Sequence, residues 1–278
     1  MLLLNASGCL DALVAPEVAG ALDGFVSKTV TPEPRDGNPP IRIAETESGM
    51  LNAIGLANPG RDRFLAETLP ALRALGLPLW ISVGGFAATE YAETCAALAD
   101  VTIELNLSCP NVDEAPESAA EIVAACRAVT AAPLYAKLSA ATGDLGALVQ
   151  AVEAAGADGL TLINTVRGLV LDERLRPRLA RTVGGYSGTP LKPIALAAVY
   201  AARAVSDLPI VGMGGVRNGR DVLEFVACGA THVALGTALF ADPDAPRRVR
   251  SELAAELDGG SFGTLEDVFC VAHADVVI

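Results

Sequence analysis

Ile210-Val211-Gly212-Met213-Gly214-Gly215 and His232-Val233-Ala234-Leu235-Gly236-Thr237 follow one plan, a short apolar run that ends in glycine. Between them, Arg220–Ala227 places apolar residues at three- and four-residue intervals, the spacing of a helix with one buried face. Strand, helix and strand in that order make a βαβ unit, whose strands lie parallel and are covered on both sides. The same alternation recurs toward both ends of the chain. Strands are expected at Leu2–Asn5, Phe25–Val30, Leu79–Val83, Thr102–Leu107, Leu134–Leu138, Leu160–Asn164, Ile210–Met213 and His232–Leu235. Helical patterns occupy Arg63–Leu75, Glu90–Leu98, Ala119–Thr130, Leu145–Ala155 and Ile194–Val205. Gly76, Gly156 and Gly229 follow three of the helices, where a left-handed cap favours a residue without Cβ. Eight such strands in 278 residues predict one α/β domain over residues 1–278, a closed (β/α)8 barrel, for which about 250 residues is typical. An open doubly wound sheet is the alternative, but no G-x-G-x-x-G follows the first strand.

Composition narrows the function. The chain is 51% hydrophobic and 4% aromatic, in keeping with Ala-rich helices packed on short buried strands. Its formal net charge of −13 repels phosphate backbones and anionic lipid, so neither nucleic acid nor a membrane is an expected partner. No apolar run approaches the roughly 20 residues of a membrane span, and Met1-Leu2-Leu3-Leu4 meets Asn5 without a basic leader, so a cytoplasmic location is expected. The six cysteines, at 9, 95, 109, 126, 228 and 270, form no C-x-x-C pair, which argues against zinc, iron–sulfur or thioredoxin-type chemistry in this chain. No metal site is expected. Cys95, Cys126 and Cys228 fall in helical stretches and read as small apolar residues.

Two connections, Thr31–Arg61 and Val166–Pro190, are too long for ordinary turns, and the second carries Arg167, Arg174, Arg176, Arg178 and Arg181. Both follow strands, so both belong to the C-terminal face of the barrel, where active sites of this fold are assembled. Polar residues gather at the same ends: Ser7, Lys28, Asn106 with Ser108 and Cys109, Lys137, and Asn164 with Thr165. A Lys inside Leu134-Tyr135-Ala136-Lys137-Leu138 must meet a carboxylate or a ligand, because an unpaired buried ammonium is costly. Gly214-Gly215 and Gly236-Thr237 end consecutive strands, the two positions from which such barrels commonly hold phosphate with backbone N–H groups. A phosphate-bearing cofactor beside a polar pocket is the resulting expectation. His232, His273 and the Arg247, Arg248 and Arg250 cluster read as structural or solvated residues.

Glu104-Leu105-Asn106-Leu107-Ser108-Cys109-Pro110-Asn111, Ser27-Lys28-Thr29, Met50-Leu51-Asn52-Ala53-Ile54-Gly55-Leu56, Ile163-Asn164-Thr165 and Gly184-Gly185-Tyr186-Ser187-Gly188 resemble, in order, the class 1 dihydroorotate dehydrogenases. The stretch Glu33-Pro34-Arg35-Asp36-Gly37-Asn38-Pro39-Pro40 resembles the class 1B branch. That resemblance implies FMN as cofactor, with Ala6, Ser7, Gly8, Lys28, Thr29, Ser82, Asn106, Lys137, Ile163, Gly188, Gly214, Gly215, Gly236 and Thr237 near it. It implies dihydroorotate bound by Lys28, by the loop Asn52, Ala53, Ile54, Gly55 and Leu56, and by Asn106, Asn111, Asn164 and Thr165. Cys109 resembles the base that takes the C5 proton while a hydride leaves C6 for the flavin, and Lys28 the residue between flavin and substrate carboxylate. The class 1B likeness further implies a separate subunit with FAD and an iron–sulfur cluster in a heterotetramer, whereas class 1A relatives are homodimers. Ser82 departs from the Asn of many relatives, and the segment after Asn111 is shorter than theirs. A dehydrogenase of dihydrouracil or another cyclic amide, and a catalytically weak FMN-binding barrel, are the alternative readings.

Overall fold

The structure is a computed structural model that describes residues 1–107, 118–141 and 143–274. Its strands are β1 (Leu3–Asn5), β2 (Phe25–Val26), β3 (Ile43–Glu45), β4 (Gly49–Asn52), β5 (Leu79–Val83), β6 (Thr102–Asn106), β7 (Leu134–Leu138), β8 (Gly159–Leu162), β9 (Val166–Leu169), β10 (Val183–Gly188), β11 (Ile210–Met213) and β12 (His232–Leu235). Eight of them form one parallel sheet in the order β1-β12-β11-β8-β7-β6-β5-β2, with helices after the strands, as a (β/α)8 barrel requires. Apolar residues alternate between two layers. Leu4, Val26, Trp80, Tyr135, Val211, Met213 and Ala234, all from barrel strands, pack together inside the cylinder. Their chain neighbours, among them Leu3, Phe25, Ile81, Leu134, Ile210 and Val233, pack outward in the helix-covered layer. Inside, the Trp80 and Tyr135 rings lie 4.5 Å apart between centroids. Tyr135 needs glycine beside it, because a Cβ on Gly159 would stand 2.3 Å from the ring.

Closure depends on a side chain. Between β1 and β2 the backbone ladder shrinks to a bridge, Leu4 to Gly24, and one bond from Asp23 N–H to Leu3 O at 2.9 Å. The fully buried Asn5 amide takes over from there, accepting from Val26 N–H and donating to Val26 O, both at 2.8 Å. Asn5→Ala would strand both backbone groups in the interior, at about 1–3 kcal/mol for each unsatisfied group. Chemical denaturation is expected to show a loss of that order; an unchanged midpoint would mean the seam is held by something else.

Strand β2 is shorter than its sequence suggests. Val26 pairs with Trp80 and Val30 bridges Val83, so between these points β2 advances one residue more than β5. The surplus is a β-bulge, a device that re-aims a side chain beside a site, and the residue it turns out to solvent is Lys28. The two long connections, Thr31–Arg61 and Val166–Pro190, carry strands of their own. They supply β3 and β4, and β9 and β10, which join as a four-stranded antiparallel sheet in the order β3-β4-β10-β9 over the C-terminal face. The helix at Ala245–Gly259 spends its arginines on ion pairs, Arg248 with Asp242 and Glu252 and Arg250 with Asp23. His232 Nδ1 meets Thr231 O at 2.6 Å, while His273 stacks on Tyr200 at 4.0 Å. Among the described residues no helix is long and apolar enough to cross a membrane.

Candidate active site

A cavity of about 340 Å³ opens where the barrel strands end, roofed by the antiparallel sheet. One wall is backbone. Gly188, Gly214, Gly215, Gly236 and Thr237 line it, and the short helix Ala238–Ala241 begins directly behind Thr237. Gly215 has φ +80°, and a Cβ there would lie 2.9 Å from Lys192 N and 3.0 Å from Thr189 O, so the chain reaches this surface only with glycine.

The opposite wall is a hydrogen-bonded chain of side chains. Asn164 Nδ2 donates to Asn106 Oδ1 at 3.0 Å, and Asn106 Nδ2 donates to Thr29 Oγ1 at 3.1 Å. Thr165 N–H bonds Asn164 Oδ1 at 2.8 Å, and Ser7 Oγ donates to Ser27 O at 2.8 Å. These bonds fix which way each amide faces. Ser82 stands behind this wall and does not line the cavity: it is fully buried, with its Oγ 3.0 Å from Thr29 Oγ1. Its part is to brace Thr29.

Two lysines face the space. Lys137 Nζ lies 3.3 Å from Glu104 Oε1, both side chains being buried. Lys28 stands at the rim on its bulge, with a pKa held below the ordinary lysine value by partial desolvation and then by Arg42, Asp11 acting in the opposite direction. Ala6, Gly8 and Ile163 complete the flavin-side expectations, and Asn52, Ile54 and Leu56 also line the cavity. Ala53 is buried with Ala44, Leu51 and Leu179 in a cluster of its own, and Gly55 packs against Asn38, so these two shape the loop from outside the cavity. Cys109 and Asn111 lie outside the described residues. The flanking chain is described: Leu107 N–H bonds Lys137 O at 3.3 Å, and Ser118 caps the following helix, reciprocally with Glu121.

Residues 2–257 match the family model for dihydroorotate dehydrogenase. The chain belongs to the dihydroorotate dehydrogenase family. Members of this family are flavin-dependent. Among its relatives, dihydroorotate dehydrogenase B (NAD(+)), catalytic subunit, of Listeria monocytogenes is 44% identical over 259 residues, covering 89% of this chain and 85% of the relative. The protein of the same name from Geobacillus kaustophilus is 43% identical over 265 residues, covering 91% and 84% respectively.

This dihydroorotate dehydrogenase family member also lines its cavity with residues that sequence reasoning did not assign, among them Cys9, Met213, Leu191 and Phe240. For Met213 a signal existed, since it alternates with the inward Val211. Leu191 and Phe240 carry no local signal, being brought in by the packing of whole βα units. Cys9 offers a second thiol, but burial drives its pKa up to about 11, against the pull of Lys137. It therefore keeps its proton near neutral pH and is a poor base.

Proposed function

We propose that this chain oxidises (S)-dihydroorotate to orotate in de novo pyrimidine synthesis, with FMN held in the cavity and Cys109 as the general base. The observation that carries the reading is one cavity with two unlike walls: glycine backbone from Gly214, Gly215, Gly236 and Thr237, and side-chain polarity from Lys28, Asn106, Lys137 and Asn164. The residues fit FMN. About 340 Å³ lies within the ~300–1,000 Å³ usual for ligand sites, Ile163, Leu191 and Met213 supply apolar contact, and the loops after the last two barrel strands are where this fold holds phosphate. When bound, FMN would supply the hydride acceptor.

The remaining work falls to side chains of the protein. Lys28 binds the substrate carboxylate, giving an acidic protein a local cation for an anionic ligand. Asn106, Asn111, Asn164 and Thr165 hydrogen-bond the ring, and the Asn164–Asn106–Thr29 chain orients the Asn106 and Asn164 amides before substrate arrives. Cys109 takes the C5 proton, and Lys137 stabilises negative charge that develops across the cavity. A separate FAD and iron–sulfur subunit would carry the electrons onward, with this chain in a homodimeric core or a heterotetramer. Relatives named as catalytic subunits of an NAD(+) enzyme support that arrangement.

Stopped-flow mixing of the FMN-loaded protein with dihydroorotate is expected to bleach the flavin, while dihydrouracil leaves it yellow. Protein that stays colourless when supplied with FMN would sink the reading, and equal bleaching by both substrates would remove the role of the carboxylate. Lys28→Met is expected to weaken dihydroorotate by about 10–100-fold, the worth of one charged hydrogen bond, without changing the response to dihydrouracil. Because the Lys28 pKa is lowered, its charged form is lost earlier as pH rises. The KM for dihydroorotate should therefore climb below the ordinary lysine range, and a KM flat to that range would contradict the assignment.

A further inference from the structure

Glu104 is a charged residue in the middle of an apolar strand, between Ile103 and Leu105, and it is 1% exposed. Parallel register sets it opposite Tyr135, which places its side chain inside the barrel. Lys137, two residues further along β7, turns to the same side and reaches the cavity, whereas Glu104 does not line it. The carboxylate thus stands behind the ammonium, one layer deeper, at 3.3 Å. Thr161, opposite Lys137 on β8, buries an Oγ1 that has no partner among the described residues, so it takes none of the protons of Lys137. The restraint from below comes from Glu104.

Stability alone is a weak reason for such a pair. Two charges withdrawn from water lose hydration that their attraction barely restores, and apolar residues of similar volume commonly do as well. The placement has a more specific consequence for anything electron-rich in the cavity. A bare ammonium would favour the reduced, more negative form of a flavin strongly, whereas an ammonium backed by a carboxylate favours it less. Cys9, whose thiol also feels Lys137, is uncharged near neutral pH and does not alter that balance.

We infer that Glu104 is a positioning residue: it holds Lys137 Nζ at the cavity wall and, by partly cancelling its charge, lowers the reduction potential of the bound flavin so that electrons are passed on. The inference rests on the flavin reading above. It is tested in the FMN-loaded full chain at neutral pH, by dye equilibration for the potential and by sulfite titration, since nearby positive charge favours sulfite addition to oxidised flavin. Glu104→Gln is expected to favour flavin reduction at least ten-fold, a positive shift of about 30 mV for a two-electron couple, and to tighten sulfite binding by a similar factor. Glu104→Asp, which keeps the charge, should stay near the parent protein. In a Lys137→Met background, Glu104→Gln should change neither quantity.

A flavin-loaded Glu104→Gln protein with unchanged potential and sulfite affinity would overturn the role of Glu104 while leaving the flavin site standing. An equal shift in the Lys137→Met background would overturn action through Lys137. Parent protein that takes up no FMN would overturn the site reading and this inference together. Should Glu104→Gln alone fail to fold while Glu104→Gln with Lys137→Met folds, the pairing is supported, because the single variant leaves an uncompensated ammonium.

Discussion

Replacing Cys109 with alanine is expected to leave the flavin bound while slowing its reduction by dihydroorotate by about 10²–10⁴-fold, the range a positioned general base contributes. Strand β6 ends at Asn106, whose amide is fixed between Asn164 and Thr29, so the chain leaves the barrel at the polar wall of the cavity. A second thiol, in the cavity wall, is the control. Cys9 lines the cavity with its pKa pushed up to about 11, so Cys9→Ala is expected to reduce normally. Rapid-mixing absorbance of the two variants separates them. Normal reduction in Cys109→Ala with slow reduction in Cys9→Ala would transfer the role of base to Cys9.

Gly215→Val is expected to cost the protein its flavin while preserving the barrel. The position has φ +80°, where a non-glycine residue carries strain of ~1–3 kcal/mol and a β-branched one is worst placed. Steric conflict adds to this, since the new Cβ would stand 2.9 Å from Lys192 N and 3.0 Å from Thr189 O, both backbone atoms. Lys192 is not free to retreat. Its Nζ is held by Asp221 at 2.6 Å and Glu224 at 2.7 Å, and these carboxylates raise its pKa against the effect of partial burial. The loop must move instead, and with it the backbone surface assigned to phosphate. FMN affinity should fall by at least ~100-fold, which needs only about 2.7 kcal/mol. Fluorescence titration with FMN, beside far-UV circular dichroism, checks both halves; a variant that purifies with stoichiometric flavin would remove Gly215 from the site.

Much of this site is legible in one dimension because it sits at strand ends. Lys28, Asn106, Lys137 and Asn164 each interrupt an apolar run, and the glycine pairs after β11 and β12 mark where backbone must come close. Other parts are not legible in that way. Ser82 has the same place in its strand as a cavity residue, yet Thr29 stands in front of it, and only packing shows which is nearer the space. Ala53 and Gly55 belong to a motif whose alternate residues, Asn52, Ile54 and Leu56, face the cavity. A motif marks a segment; the backbone decides which of its side chains point inward.

The chain by itself determined a barrel of eight parallel strands, because short continuous apolar runs alternating with a helical period leave buried strands and covering helices few other ways to close. It also determined the left-handed glycines at 76, 156 and 229, since local sterics leave such positions to residues without Cβ. Tertiary structure alone decided how Asn5 closes the seam, why β2 bulges at Lys28, and that Glu104 stands behind Lys137. It alone joined β4 to β10, whose paired residues Leu51 and Tyr186 lie far apart in the chain. The physical reason is the same in each case. Periodicity and backbone preference act between near neighbours, whereas register, bulges and ion pairing are settled only when distant segments compete for the same space.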